Sequence, residues 1–464
     1  MSDFKYQELQ RNLEKGIREG IYKDKLPSVR SLAKTKEVSI ATVQKSYEAL
    51  ERMGLVEAKP KRGYFVRVKE HLTIGDYGSK YHRVTNKDAL EKQVLLSLND
   101  SNSLPLSSTA PSSVINNEPI LSKHHRKAFD RAIYRFQIED EVQGFSLLRQ
   151  SLSQLMHRQG QSIAPDNIHI TSGRREGLFI ALVATQTLGG EIAVESPTSF
   201  YFQSSINRLC SSVIEIPMQH DFQQELNILD AAQKEHGFSV YLVNPSFQDP
   251  TGRLLSDTDK LALLKWAKKR NVTLIEYDRS ELYIGETKPK SLTHLSEQVK
   301  GVRVIGIYDF FDTISTRICL GYLISVNMGD AVGDAKYPLT EEPNLNTQKL
   351  VNSLISSGDY EKILEKLRPQ LRKNYHNALQ ILTTHLPDSV QFSPVMGGPC
   401  LWLKSENKSS LDIWQELIEQ NVAIAPGCMC GFNTSFDNYF RITFALPWNT
   451  DLALALVKVC KAAG

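Results

Sequence analysis

The sequence predicts two parts: a small α+β head of three short helices and a two-stranded ribbon, then a large α/β domain with a mainly parallel sheet. Three observations carry this. Apolar residues recur at helical spacing in three short runs before residue 52, and a basic hairpin follows. From residue 168 onward, short apolar strands alternate with helical stretches, the pattern of a parallel sheet covered on both faces. A chain of 464 residues also exceeds what one ordinary core organises.

Composition narrows the class. With 41 % hydrophobic and 23 % charged residues the chain reads as a soluble globular protein. Six cysteines (210, 319, 400, 428, 430 and 460) lack framework spacing, as expected of reduced thiols in a cytosol. Cys428-Met429-Cys430 is a lone C-x-C without a partner pair, so no metal site is expected. The first residues, Met1-Ser2-Asp3-Phe4-Lys5, have no apolar signal core, and no run reaches membrane-spanning length; a cytoplasmic location and no membrane partner are expected. The net charge of +3 hides an asymmetry: residues 1–70 hold 16 Lys+Arg against 10 Asp+Glu, and the remainder holds 39 against 42. A basic head on a near-neutral body suggests that only the N-terminus meets a polyanion.

In the head, Tyr6, Leu9, Leu13 and Ile17 give one amphipathic helix. After a break at Gly20-Ile21-Tyr22, Pro27 and Ser28 open a second helix, Ser28 to about Lys36, which buries Val29, Leu32 and Ala33. Ser39 is a good N-cap for a third helix with Val43, Tyr47 and Leu50 inward, stopped at Met53-Gly54. Leu55 to Val68 reads as a ribbon with Lys59-Pro60-Lys61-Arg62-Gly63 at its tip. Three helices and a basic hairpin make a winged helix-turn-helix, and its third helix has a physical reason to read double-stranded DNA. Ser39, Ile40, Ala41 and Thr42 form a compact first turn that can enter the major groove, where free N–H groups favour a phosphate. Gln44 can pair with adenine, Thr42 or Ala41 can touch a thymine methyl, and Lys45 follows them. Arg30, Lys59, Lys61 and Arg62 suit phosphates or the minor groove, setting register more than sequence.

Residues 71–104 read as a polar, patternless tether, apart from one helical stretch at Ala89 to Leu98. Lys123-His124-His125-Arg126-Lys127 reads as part of a solvated helix rather than a metal or nucleic-acid site. In the large part, 105–464, strands are expected at Ile168 to Thr171, Glu191 to Glu195, Ser239 to Val243, Thr273 to Ile275, Arg303 to Ile307 and Cys319 to Ile324. A helix is expected over Asp257 to Lys269, between two of them.

Two resemblances add to this reading. Leu26-Pro27-Ser28-Val29-Arg30-Ser31-Leu32-Ala33, Val38 to Val43, Tyr47-Glu48-Ala49-Leu50 and Gly63-Tyr64-Phe65-Val66 resemble the GntR-family DNA-binding domain throughout the first seventy residues. The resemblance implies DNA contacts at Arg30, Ser39, Ile40, Ala41, Thr42, Gln44 and the wing around Gly63; Ile40 departs from the arginine frequent at its position, so a different operator preference is implied. Gly144 with Leu148-Arg149, Thr171-Ser172-Gly173, Glu195-Ser196-Pro197, Asn244-Pro245, Pro250-Thr251-Gly252, Leu320-Gly321-Tyr322, Gly397-Gly398 and Phe440-Arg441-Ile442 resemble the fold-type I aminotransferases that bind pyridoxal phosphate. The whole is therefore similar to a MocR-type regulator: a winged helix-turn-helix domain followed by an α/β fold-type I aminotransferase-like domain with a mainly parallel sheet. Such regulators are head-to-tail homodimers whose large domain senses pyridoxal phosphate or an amine.

Against that resemblance, the parts that the cofactor's chemistry needs are altered. A Schiff base requires a lysine, and the pyridine nitrogen requires an acid. The position nine residues before Gly321 holds Asp312, and no lysine occurs from 301 to 335. The asparagine expected before Pro-Thr-Gly is Asp249, the stacking position is Ser199 with Phe200 next to it, and the phosphate arginine is Cys319, with Arg317 two residues earlier. The pyridine acid is Glu276 when counted back from Ser280-Glu281-Leu282-Tyr283, with Arg279 at an expected tyrosine, or Asp278 when counted from the strand. Gly173 at a helix N-terminus, followed by Arg174 and Arg175, and Arg441, to which the resemblance assigns a substrate carboxylate, can still hold an anion, although each arginine also suits a plain surface. These residues form the expected effector pocket. No covalent cofactor and no catalytic residue are expected, and pyridoxal phosphate enters through the resemblance alone. The expectation is a non-catalytic regulator that senses a small anion or amino acid. The alternatives are a regulator that does bind pyridoxal phosphate, with residual aminotransferase activity, and an active enzyme with a DNA-binding head.

Overall fold

The computed structural model describes residues 24–52, 55–59, 62–66, 82–84, 103–129, 142–339, 343–432 and 436–464, together with 6, 9, 10, 12–14, 16, 17, 21 and 22. In the head, the helically spaced residues Leu9, Leu13, Leu32, Val43, Tyr47 and Leu50 close one small core with Val56. The second helix, Val29–Thr35, starts where Ser28 accepts from the Ser31 N–H at 3.2 Å. The third, Ile40–Arg52, starts where Ser39 Oγ accepts from the Thr42 N–H at 3.0 Å. Strands β1 (Val56–Lys59) and β2 (Gly63–Val66) pair antiparallel, and Gly63 turns the hairpin at φ +100°. β2 also accepts from the Leu26 N–H through the Tyr64 carbonyl at 3.0 Å, while Tyr47 of the third helix donates to the Pro27 carbonyl at 2.7 Å. The wing is thus oriented against the third helix by the core that both share.

The large part is built on one sheet. Its strands are β3 (His82–Val84), β4 (Ile168–Thr171), β5 (Glu191–Ser196), β6 (Ser212–Pro217), β7 (Val240–Val243), β8 (Thr273–Tyr277), β9 (Val304–Asp309) and β10 (Gly321–Val326). They lie in the order β3-β6-β5-β7-β8-β9-β10-β4. Apart from the antiparallel edge strand β3, seven strands remain, and of these only β10 runs against the rest. Helices such as Arg174–Ala184 and Asp257–Arg270 cover the two faces. The polypeptide therefore delivers its loops after β4, β5, β7, β8 and β9 to one edge, the carboxyl end, where open α/β sheets place their sites. A second, antiparallel sheet of Val390–Phe392, Cys400–Ser405, Tyr439–Thr443 and Ala425–Pro426 stands beside it.

Several expectations change. The strand expected at 319–324 begins at Gly321, because the residues before it form turns. β6 goes beyond the expectation: Glu215 interrupts its apolar run, yet is buried and accepts from Ser196 Oγ at 3.0 Å and the Phe432 N–H at 2.9 Å. β3 lies within the stretch expected to be patternless, and the helix expected at 89–98 lies outside the described residues. The basic run 123–127 is helical as expected but not wholly solvated. His124 is buried between Ser353 Oγ at 2.7 Å and Asp359 Oδ2 at 2.9 Å. No helix among the described residues is long and apolar enough to cross a membrane.

β4 also buries a histidine. His169 is 2 % exposed, and burial, assisted by Lys336 and Arg149, pushes its imidazole down to about 4. The unfolded chain protonates this group near 6.5. Its contribution is therefore complete above pH 6.5 and is lost as pH falls toward 4, about 3 kcal/mol in all. His169→Phe is expected to flatten the decline of stability across that window in urea unfolding. An unchanged decline would reject the buried neutral imidazole.

Candidate functional site

On the head, the first turn of helix Ile40–Arg52 faces outward. Ser39, Ile40, Ala41, Gln44 and Lys45 are exposed and Thr42 is half-buried, whereas Val43, Ser46, Tyr47 and Leu50 turn into the core. Burial thus falls on the inward positions and leaves the opposite face for a partner. Arg30 is exposed as well. Lys25, Lys59 and Arg62 surround the Phe65 ring at 5.2, 5.1 and 5.6 Å, which makes the wing a compact cationic patch. Lys45 leans over the Tyr6 ring at 4.3 Å. Lys61 lies outside the described residues.

At the carboxyl edge of the large sheet, six charged side chains alternate in sign. Arg441, from the second sheet, donates to Asp249 Oδ1 at 2.7 Å. Asp249, after β7, faces Arg279 at 3.8 Å, and Arg279, after β8, donates to Asp312 Oδ2 at 3.2 Å. Asp312, after β9, faces Arg174 at 3.7 Å, and Arg174 donates to Asp309 Oδ2 at 2.8 Å. Arg174 starts its helix just after Gly173, whose φ of +107° turns the chain out of β4. Every member is buried or nearly so, from the wholly enclosed Arg441 and Asp249 to Arg174, whose side chain is 11 % exposed.

The surroundings complete the pairing. Ser199 Oγ donates to Asp249 Oδ2 at 2.8 Å, and Arg441 also donates to the Ser107 carbonyl. Arg441 lies over Phe200 at 4.3 Å and Arg174 over Tyr201 at 4.4 Å, so the aromatic rings here face guanidinium groups. Burial works to raise the Asp249 carboxyl, but Arg441 and Arg279 outweigh it and hold the group below the usual carboxylate range. At Asp312 burial prevails and, with Asp309 close by, pushes the carboxyl up despite Arg279. Arg279 Nε, Arg441 Nε and Asp312 Oδ1 are buried without a hydrogen-bond partner.

The structure therefore gathers Gly173, Arg174, Ser199, Asp249, Arg279, Asp312 and Arg441 and leaves out three other expected members. Glu276 points to the opposite face of β8 from Tyr277 and accepts from the N–H groups of Leu292 and Thr293 at 2.7 and 3.1 Å; burial pushes it up to about 8. Arg175 is exposed one residue round the helix from Arg174. Arg317 is exposed beside Glu118 at 3.4 Å, because its segment is a turn rather than a strand, which removes the argument that it shares a face with residue 319. Asp278 stays close: it accepts from Ser280 Oγ at 2.6 Å and, with Arg279 and Asp312, lines a cavity of about 30 Å³. Sequence reasoning missed Asp309, Tyr201 and Tyr277. The one available signal was Asp309 lying three residues before Asp312, and the Tyr277 hydroxyl meets Arg174 at 3.1 Å.

Residues 5–66 match the bacterial regulatory proteins of the gntR family, and residues 118–276 match aminotransferase class I and II. The chain is 26 % identical to YjiR of Escherichia coli K12, an uncharacterised HTH-type transcriptional regulator, across 99 % of this chain and 98 % of that one. The chain joins a gntR-type helix-turn-helix domain to an aminotransferase class I/II domain and is a DNA-binding transcription regulator, an organisation consistent with the MocR type. The regulator is also 25 % identical to the HTH-type transcriptional regulator NorG of Staphylococcus aureus USA300, across 94 % and 98 % of the two chains. Its large part has the fold of LysN, the α-aminoadipate aminotransferase of Thermus thermophilus, with TM-score 0.70, 20 % identity and coverage of 80 % of this chain and 93 % of that one. The kynurenine aminotransferase of Pyrococcus horikoshii gives TM-score 0.71 at 20 % identity, covering 82 % and 95 %. At such identity the regulator shares their fold-type I architecture, and the likeness carries no chemistry with it.

Removing one partner strands the other as an unpaired buried charge. Asp249→Ala is expected to cost about 3–5 kcal/mol in urea unfolding. Asp249→Leu combined with Arg441→Met should recover most of that loss. A single variant as stable as wild type would show that this pair does not hold the site together.

Proposed function

We propose that the regulator works in the cytoplasm as a head-to-tail homodimer, its two heads on double-stranded DNA and its aminotransferase-like body sensing a small anion or amino acid without catalysis. The charge ladder carries this reading. Three features stand against pyridoxal phosphate at this edge. Asp312 offers no nitrogen to an aldehyde, and it is already paired with Arg279. Each of the three guanidinium groups already meets a carboxyl group, so a phosphate would have to displace Asp309, Asp312 or Asp249 to take those contacts. The cavity beside Arg279 and Asp312, about 30 Å³, has the room of one water, whereas small-ligand pockets run to several hundred Å³. The residues do not fit the cofactor, and no reaction step is assigned to them.

Sensing follows from the same contacts. A carboxylate ligand that takes the Arg441 contact held by Asp249 displaces that carboxyl group, so binding and rearrangement of the ladder are one event. A ligand that prefers one arrangement shifts the population and, through the dimer, the spacing of the heads.

On DNA, Ser39, Ile40, Ala41, Thr42 and Gln44 would face base edges. Arg30, Lys45, Lys59, Lys61, Arg62 and the Gly63 turn would hold the backbone or the minor groove.

Two experiments test this. Borohydride treatment of protein mixed with pyridoxal phosphate is expected to leave no stoichiometric adduct on a single lysine by intact-mass analysis. Such an adduct would favour the cofactor-binding alternative. In operator titrations, Arg30→Ala and Arg62→Ala should each weaken binding across sequences and lower the log–log salt slope by about 1. Unchanged affinity and slope would remove those residues from the interface.

A further inference from the structure

We infer that Ile40 determines sequence specificity in this regulator by reading the C5-methyl group of a thymine in the major groove. The inference rests on the DNA-binding reading above and deepens it by naming the base group that is recognised.

Ile40 is 49 % exposed, a branched apolar side chain at the first position of helix Ile40–Arg52. An isolated exposed isoleucine means little by itself. Its setting gives it a role. The neighbours Ser39 and Ala41 are exposed and small, so Ile40 projects beyond them. The hydroxyls of Ser39 and Thr42 are turned toward each other at 2.7 Å, and Ser39 Oγ also accepts from the Thr42 N–H. The first turn contains no acidic residue, and Lys45 is drawn back over Tyr6. The leading tip of the helix therefore offers Ile40 as its projecting hydrocarbon, while Lys25, Lys59 and Arg62 gather around Phe65 on the wing.

A hydrocarbon tip cannot distinguish bases by donors and acceptors. The major-groove edge of B-DNA carries one apolar group, the thymine methyl, and contact with it removes both surfaces from water. Burying one methyl-sized group corresponds to about a fourfold change in affinity.

The test uses the full-length protein and duplexes selected from a random synthetic pool. Each thymine of the enriched site is then replaced in turn by deoxyuridine, which removes the methyl and leaves every hydrogen-bonding group in place. Wild type is expected to lose about fourfold at one thymine per half-site. Ile40→Ala is expected to bind thymine and uracil equally there while keeping the wild-type salt slope, and Ile40→Val should retain part of the discrimination. Equal uracil penalties in wild type and Ile40→Ala, or an enriched site insensitive to uracil throughout, would overturn the role of Ile40 and leave DNA binding intact. Failure to enrich any sequence would instead overturn the DNA-binding reading and this inference with it.

Discussion

The structure of the large domain depends on one constraint: the six acidic and basic side chains enclosed at the carboxyl edge of the sheet must alternate, each guanidinium group beside a carboxyl group. Each guanidinium group that burial strips of water is offset by a carboxylate delivered from a neighbouring loop. The members come from the loops after β4, β7, β8 and β9 and from the second sheet through Arg441, which also reaches the Ser107 carbonyl. Segments distant along the chain are thereby tied at one point. Any single substitution of a member leaves the enclosed set unbalanced by one charge, so the network is stable as a set rather than as separate contacts.

The ladder connects fold to role. The edge where fold-type I enzymes keep their chemistry is occupied here by the protein's own carboxylates: Asp249 sits on the arginine that the resemblance assigns to a ligand carboxylate, and Asp312 stands where it assigns a lysine. On the proposed reading, the body serves as a large scaffold that carries the small DNA-binding head. The head has its own core and its own wing geometry, fixed by Tyr47, Pro27 and Tyr64.

Much of this was legible in the residues. The helical spacing of Val43, Tyr47 and Leu50 and the cap at Ser39 marked the third helix of the head and its outward face, because one short amphipathic pattern can bury in one way only. The apolar strands of the large sheet were equally plain, except β6, where the buried Glu215 hid the pattern, and β3, whose three residues are too short to show one. Counting from Gly321 and from Pro-Thr-Gly picked out Asp312 and Asp249, which the structure brings into the charge ladder. Counting could not tell which face Glu276 takes, nor that the chain before Gly321 is a turn, and the structure places Glu276 and Arg317 outside the charge ladder. Pairing across the ladder depends on loops brought together from five parts of the chain, and no local pattern encodes it.

The most direct measurement is a crystal structure of the full-length protein grown in excess pyridoxal 5′-phosphate. The expected density shows Arg441 on Asp249 and Arg279 on Asp312, with no cofactor between Ser199 and the sheet. An ordered cofactor there, with those two pairs opened to admit it, would contradict the account.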